Sequence, residues 1–228
     1  MFVGHYGVGF ASKRYAPGLP LWVLFIAVQL LDVLWAPFVL LGIEKVRIVP
    51  GITRSSPLDL YYMPYTHSLV AAILWSLAAA GLYKVVASRA TTRAALILGS
   101  AVFSHWVLDF VVHRPDLSLY DDTAKVGLGL WNHPAIAFGL EALVLLGGIA
   151  VCIRRGVVGT MAGLTFGFAM LAIHTLVFFG APPQSVTAAA VTALAAYVIL
   201  AFVVSFIERP PAAAGSSPSG EPTGRLTS

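Results

Sequence analysis

Apolar positions along this chain fall in long unbroken blocks, not in the spaced stripe of a soluble amphipathic helix or the alternation of a half-buried strand. Six blocks come close to the roughly 20 residues that cross a bilayer as a helix. They cover 19–43, 67–87, 94–112, 135–153, 157–179 and 186–207. Backbone groups in hydrocarbon must be satisfied within the chain, and no stretch has the period of a barrel strand, so all six are predicted to be helices. The expected fold is all-α, a polytopic transmembrane bundle of about six spans. Residues 1–16 are apolar, contain glycine and close on Lys13-Arg14-Tyr15-Ala16-Pro17. They are too short to span and are expected to form a short re-entrant or interfacial helix. Because Lys13 and Arg14 follow the apolar stretch instead of preceding it, the segment reads as retained and not as a signal peptide.

Two polar connections are long enough to carry function. Residues 43–66 hold Glu44, Lys45, Arg47, Arg54 and Asp59, and residues 113–134 hold Arg114, Asp116, Asp121, Asp122, Lys125 and His133. From Pro210 onward the chain is mostly Pro, Ala, Gly and Ser, which predicts a disordered tail over 210–228 and leaves 1–209 as one integral membrane domain.

Composition removes the soluble classes: 58% of residues are hydrophobic and 11% charged, with a mean hydropathy of +0.86. The net charge of +4 arises from Lys and Arg at block ends, which is a topology signal and not a nucleic-acid footprint. No nucleic-acid partner is expected. With the N-terminus cytoplasmic, Lys13, Arg14, Lys84, Arg89, Arg93, Arg154, Arg155, Arg209 and Arg225 lie inside, and Lys45, Arg47, Arg54, Arg114 and Lys125 outside. The positive-inside rule therefore predicts both termini cytoplasmic and both long loops outside, and the expected location is a bacterial-type inner (plasma) membrane. The single cysteine, Cys152, allows no internal disulfide and no thiolate cluster, and is expected to pack in the core or face lipid.

Against this apolar background the buried ionisable residues stand out: Asp32, His105, Asp109, Glu141 and His174 within blocks, and His67 opening one. An aspartate in hydrocarbon costs roughly 3 kcal/mol even on lenient insertion scales, so each needs a partner. In Ser104-His105-Trp106-Val107-Leu108-Asp109, His105 and Asp109 share a helix face. Thr66 is a candidate N-cap before His67, and a histidine in a first turn is held neutral by the helix dipole, the form that binds metal. His5, Asp32, His67, His105 and Asp109 are thus the candidate metal ligands. A set of nitrogen and oxygen donors suits a divalent transition metal, zinc first and manganese or iron next. A proton or ion pathway, as in a small transporter or channel, and plain structural polar contacts are the other readings of the same residues. Glu44 is a candidate ligand or general base, and Arg47 and Arg114 are candidate grips on an anionic substrate. His113, eight residues beyond His105, is turned by about 80° and borders the site. His174 and Glu141 are candidates to pair with each other.

His5, Leu31-Asp32, Tyr65-Thr66-His67-Ser68-Leu69 and the Ser104–Asp109 element together resemble the YdjM-like family of LexA-regulated, membrane-bound metal-dependent hydrolases over residues 1–120. That family is distantly similar to zinc-dependent phospholipases C and related single-strand nucleases. The resemblance implies a hydrolase acting through metal-activated water on a phosphoester or other ester, with a lipid or other membrane-associated molecule as substrate and membrane lipids as partners. Leu34 stands where many members have a second aspartate, and Tyr62-Met63-Pro64 where many have a charged pair. Glu44 and Asp59 are the candidates to compensate.

Overall fold

The computed structural model describes residues 1–87 and 90–209. The predicted tail over 210–228, together with Arg89 and Arg225 of the charge count, lies outside the described residues. Eight α-helices are present among them: α1 (Val3–Ser12), α2 (Leu21–Val28), α3 (Leu30–Leu40), α4 (Leu69–Val86), α5 (Thr92–Val112), α6 (Pro134–Arg154), α7 (Thr160–Phe179) and α8 (Val186–Ile207). The last five are each long and apolar enough to cross a membrane, and α2 with α3 makes a sixth candidate as one bent span. The molecule is an all-α helical bundle built as an integral membrane protein.

Helix starts follow local chemistry. Thr91 and Ser185 accept hydrogen bonds from the Ala94 and Ala188 amides, capping α5 and α8, and Pro134 opens α6 where its missing N–H costs nothing. At α4 the cap is Ser68, whose hydroxyl accepts from the Ala71 amide. Thr66, expected in that role, lies two residues earlier and turns to Glu44 instead. Helix α5 is the central one, with half of its most apolar window buried against 17% for peripheral α4.

The first block departs from one straight helix. It bends by 54° between α2 and α3 at Gln29, whose φ of −109° and ψ of 8° leave the helical region. The bend puts Asp32 in the first turn of α3, where the positive end of the helix dipole favours a carboxylate. It also frees the Val28 carbonyl for a side-chain donor.

Helix α1 is buried on most of its surface and packs foremost on α6, then on α2 and α5. Backbone meets backbone there. A Cβ on Gly7 would strike Val144 carbonyl oxygen, and one on Gly148 would strike that of Gly7, so glycine at both positions permits the approach. The α1 amino end reaches the interior, where Glu141 Oε2 of α6 accepts from the Phe2 amide at 2.8 Å and the Gly4 amide at 3.2 Å. At the other end of α1, Lys13 pairs with Glu208 beyond α8, and Glu208 also accepts from the Leu21 amide. Between these ends Tyr6, Phe10, Phe25 and Phe166 close the core, with neighbouring centroids 4.7–6.0 Å apart.

The first long loop contains a feature the apolar pattern does not show, a two-stranded antiparallel sheet of β1 (Lys45–Ile48) and β2 (Leu58–Tyr62). Val46, Leu60 and Met63 pack with Trp35, Ala36 and Val39 of α3, Ala190 of α8 and Leu117 of the second loop. The hairpin thereby roofs the end of the bundle opposite Lys13 and Glu208.

Candidate metal centre

All five candidate metal ligands meet at one place under this roof. His105 Nε2 lies 3.2 Å from Asp109 Oδ2 and 3.7 Å from Asp32 Oδ1. His67 Nε2 lies 3.3 Å from Asp32 Oδ1 and 3.7 Å from Asp109 Oδ2, and His5 Nε2 is 3.1 Å from Asp109 Oδ1. The His5 ring stacks on His105 with centroids 3.9 Å apart and planes 4° from parallel. Two ligand triads result, His5 with His105 and Asp109, and Asp32 with His67 and His105, each with its donor atoms within 4.8 Å of one another. Four different segments supply the five side chains: α1, α3, the stretch before α4, and α5.

Hydrogen bonds behind the cluster set the imidazole tautomers. His105 Nδ1 is 2.7 Å from the freed Val28 carbonyl, which can only accept, so Nδ1 carries the proton and Nε2 presents a bare lone pair. That Nε2 is buried and has no hydrogen-bond partner. His67 Nδ1 is 2.7 Å from Thr66 Oγ1, and the threonine hydroxyl donates to Glu44 Oε2, also at 2.7 Å. The hydroxyl's only proton is then used, so Thr66 accepts from His67 Nδ1–H, which in the neutral ring leaves Nε2 as the free lone pair. Donation of the second ring N–H to a carbonyl or a carboxylate-linked group is how metal-binding histidines are oriented. His5 has no such partner, and its Nδ1 is buried without a hydrogen bond.

Asp32 and Asp109 receive no Lys or Arg among the described residues. Tyr197 of α8 donates its hydroxyl to Asp32 Oδ2 at 2.7 Å, and the Met1 amino group pairs with Asp109 Oδ1. Two carboxylates and bare imidazole nitrogens facing one another make a donor set that fits a divalent cation.

Other expected site residues lie elsewhere. Glu44 stands behind His67, its Oε1 accepting from the Tyr65 and Thr66 amides at 2.9 Å each, so both oxygens are committed to orienting that segment. Burial pushes its carboxyl above the ordinary glutamate range, while nearby His67 and the Thr66 hydroxyl pull the other way. Arg47 and Arg114 both hold buried Asp59, Arg47 Nε at 2.6 Å from Oδ2 and Arg114 by a short bond to Oδ1. This locks hairpin to second loop and takes Asp59 out of reach as a substitute ligand. Glu141 caps α1, and His174 Nε2 is 4.0 Å from its Oε2 with no hydrogen bond between them. Cys152 is a core residue, 1% exposed.

Sequence reasoning underrated His113. It is the C-terminal cap of α5, with a still helical φ of −64°, and so stands one turn beyond Asp109 at the border of the site, as its spacing predicted. Its Nδ1 is 2.9 Å from Asp116 Oδ1 and its Nε2 is 3.5 Å from Asp109 Oδ2. The histidine–aspartate spacing of three residues across Pro115 was the available signal. Tyr197, a lone tyrosine in an apolar helix, offered none.

From Asp32, His67, Asp109 and His113 a cavity of about 510 Å³ leads away between α7 and α8. Its lining includes no Lys or Arg.

The chain matches no protein-family model, no curated protein and no solved structure.

Proposed function

We propose that this chain is a membrane-embedded metal-dependent hydrolase whose His5, Asp32, His67, His105 and Asp109 hold a divalent transition metal, zinc foremost. The observation that carries the reading is His105 Nε2, buried and bare because Nδ1 is tied to Val28, and aimed at two carboxylates. When bound, the ion would supply Lewis-acid polarisation of an ester or phosphoester and a more acidic water. Thr66 and Glu44 hold His67 in the receptive tautomer. Asp116 does the same for His113, whose Nε2 at the cavity wall is the proton acceptor in place of Glu44. The aromatic closure by Tyr6, Phe10, Phe25 and Phe166 supports a dead-end site over a transport path. Every element that carries the resemblance to the YdjM-like family contributes a side chain to the cluster, so membership of that family is part of the same proposal.

The test is elemental analysis of detergent-purified protein, followed by chelation, reloading with Zn²⁺ or Mn²⁺, and an assay with bis(p-nitrophenyl) phosphate. At least one bound equivalent and metal-dependent turnover are expected. Metal-free protein that takes up no ion on reloading overturns the reading. His113→Gln should keep the metal and lose turnover.

The proposed orientation puts the Lys13–Glu208 end in the cytoplasm and the hairpin outside a bacterial inner membrane. With Cys152 replaced, a cysteine at exposed Arg54 should react with an impermeant reagent from the outer face, and reaction only after permeabilisation inverts the topology.

A further inference from the structure

Helices α7 and α8 are joined by a short connection, yet they barely touch. Helix α7 rests on α6 and α8 rests on α2 and α3, so the two ends that meet at the hairpin are splayed. The cavity fills the gap between them. Ile173, Leu176 and Val177 line it from α7, and Ala189, Ala193 and Ala196 from α8. The three alanines recur at i, i+4 and i+7, on one helix face, and their small side chains leave room that a leucine face would fill. Leu176 and Val177, in the last turn of α7, are 72% and 56% exposed at the lip.

The inner end of the same space is polar. Asp32, His67, Asp109 and His113 stand there, and Tyr197, next in sequence to Ala196, reaches Asp32. Glu141 is fully buried, belongs to the lining, and has an Oε1 with no hydrogen-bond partner. A buried carboxylate oxygen without a donor is costly unless a ligand brings one, such as a hydroxyl. A space of this volume is the size of a small-molecule site, and its apolar walls ending on a few polar groups fit an amphiphile better than a soluble ion.

We infer that the α7–α8 gap is a lateral binding groove for a membrane lipid, with a hydrocarbon chain between the two helices and a hydroxyl-bearing phosphoester headgroup at the histidine–aspartate cluster. This rests on the hydrolase reading for the fate of the headgroup, but not for the groove itself. Exposed Leu176 and Val177 make the lip apolar, which suits entry of a lipid from the bilayer. With no Lys or Arg in the lining, a cation at the cluster and the Met1 amino group beside Asp109 are the partners for the phosphate.

The probe is phosphatidylglycerol with a diazirine on one acyl chain, placed as a minor component in phosphatidylcholine nanodiscs holding the full metal-loaded chain. After photolysis, adducts are mapped by mass spectrometry. They are expected on 173–178 and 188–197, and Ala193→Phe should lower that labelling about tenfold by filling the groove, with metal content unchanged. Adducts spread evenly over lipid-facing residues of α4 and α8, such as Leu77, Leu82 and Val198, overturn the groove, and so does labelling that Ala193→Phe and Ala189→Phe both leave intact. Labelling in the groove without hydrolysis of any phosphoester sinks the hydrolase reading alone. Turnover of bis(p-nitrophenyl) phosphate without groove labelling sinks the groove alone.

Discussion

The two ends of the bundle are made of similar helices and behave as opposites. Toward the Lys13–Glu208 end, Tyr6 and Phe10 of α1, Phe25 of α2 and Phe166 of α7 interlock, and Lys13 ties α1 to the end of α8. At the hairpin end, α8 presents alanines, α7 leans away, and the space between leads to two carboxylates and three imidazoles. The closed end is held by aromatic packing and the Lys13–Glu208 pair, the open end by the hairpin's apolar contacts and by hydrogen bonds between segments far apart in sequence. Polar groups gather where packing is incomplete, because a buried carboxylate tolerates a cavity that can receive a counter-ion and not a dry apolar wall.

The comparison breaks most easily at His105, the residue shared by both ligand triads. His105→Ala should abolish stoichiometric metal, read by elemental analysis, whereas His5→Ala, which removes a ring no outer group orients, should leave partial occupancy. Full occupancy in His105→Ala would show that the open end is polar for structural reasons. Gly148→Val comes next. It alters no candidate ligand, but its side chain would collide with the Gly7 backbone, so α1 must move and take His5 with it. Both metal content and thermal stability should fall, and a variant that keeps both would show that α1 docks elsewhere. At the closed end, Phe10→Ala should cost about 3 kcal/mol of stability by opening a cavity while the folded fraction keeps its metal. Loss of metal in step with stability there would mean that the two ends are one cooperative unit. Smallest is Thr66→Val, which keeps the shape but cuts the link from His67 to Glu44 and should weaken metal binding about tenfold to a hundredfold, with Glu44→Gln in the same direction. An unchanged affinity would remove Glu44 from the orienting role.

Local chemistry sufficed for much of this. Long apolar blocks have one stable form in hydrocarbon, so the helices and most of their limits follow from 69–207 as written, and burying His5, Asp32, His67, His105 and Asp109 in such blocks already required that they find partners. Their convergence agrees with that requirement. The roles of charged loop residues were not legible: Arg47, Arg114 and Asp59 read as site residues because nothing in their spacing shows that they neutralise one another across two loops. Nor was the bend at Gln29, since a single polar residue in an apolar block does not fix φ and ψ.

By itself the sequence determined a helical membrane chain with a polar set too expensive to leave unpaired, because the cost of charge in hydrocarbon depends on composition and not on fold. Only the tertiary structure decided which nitrogen of His105 is bare, that Glu44 orients His67 from behind, and that α7 and α8 stand apart. Those are properties of atoms brought together from distant segments, where a carbonyl freed by a helix bend or a glycine opposite a glycine acts on residues that no local pattern connects.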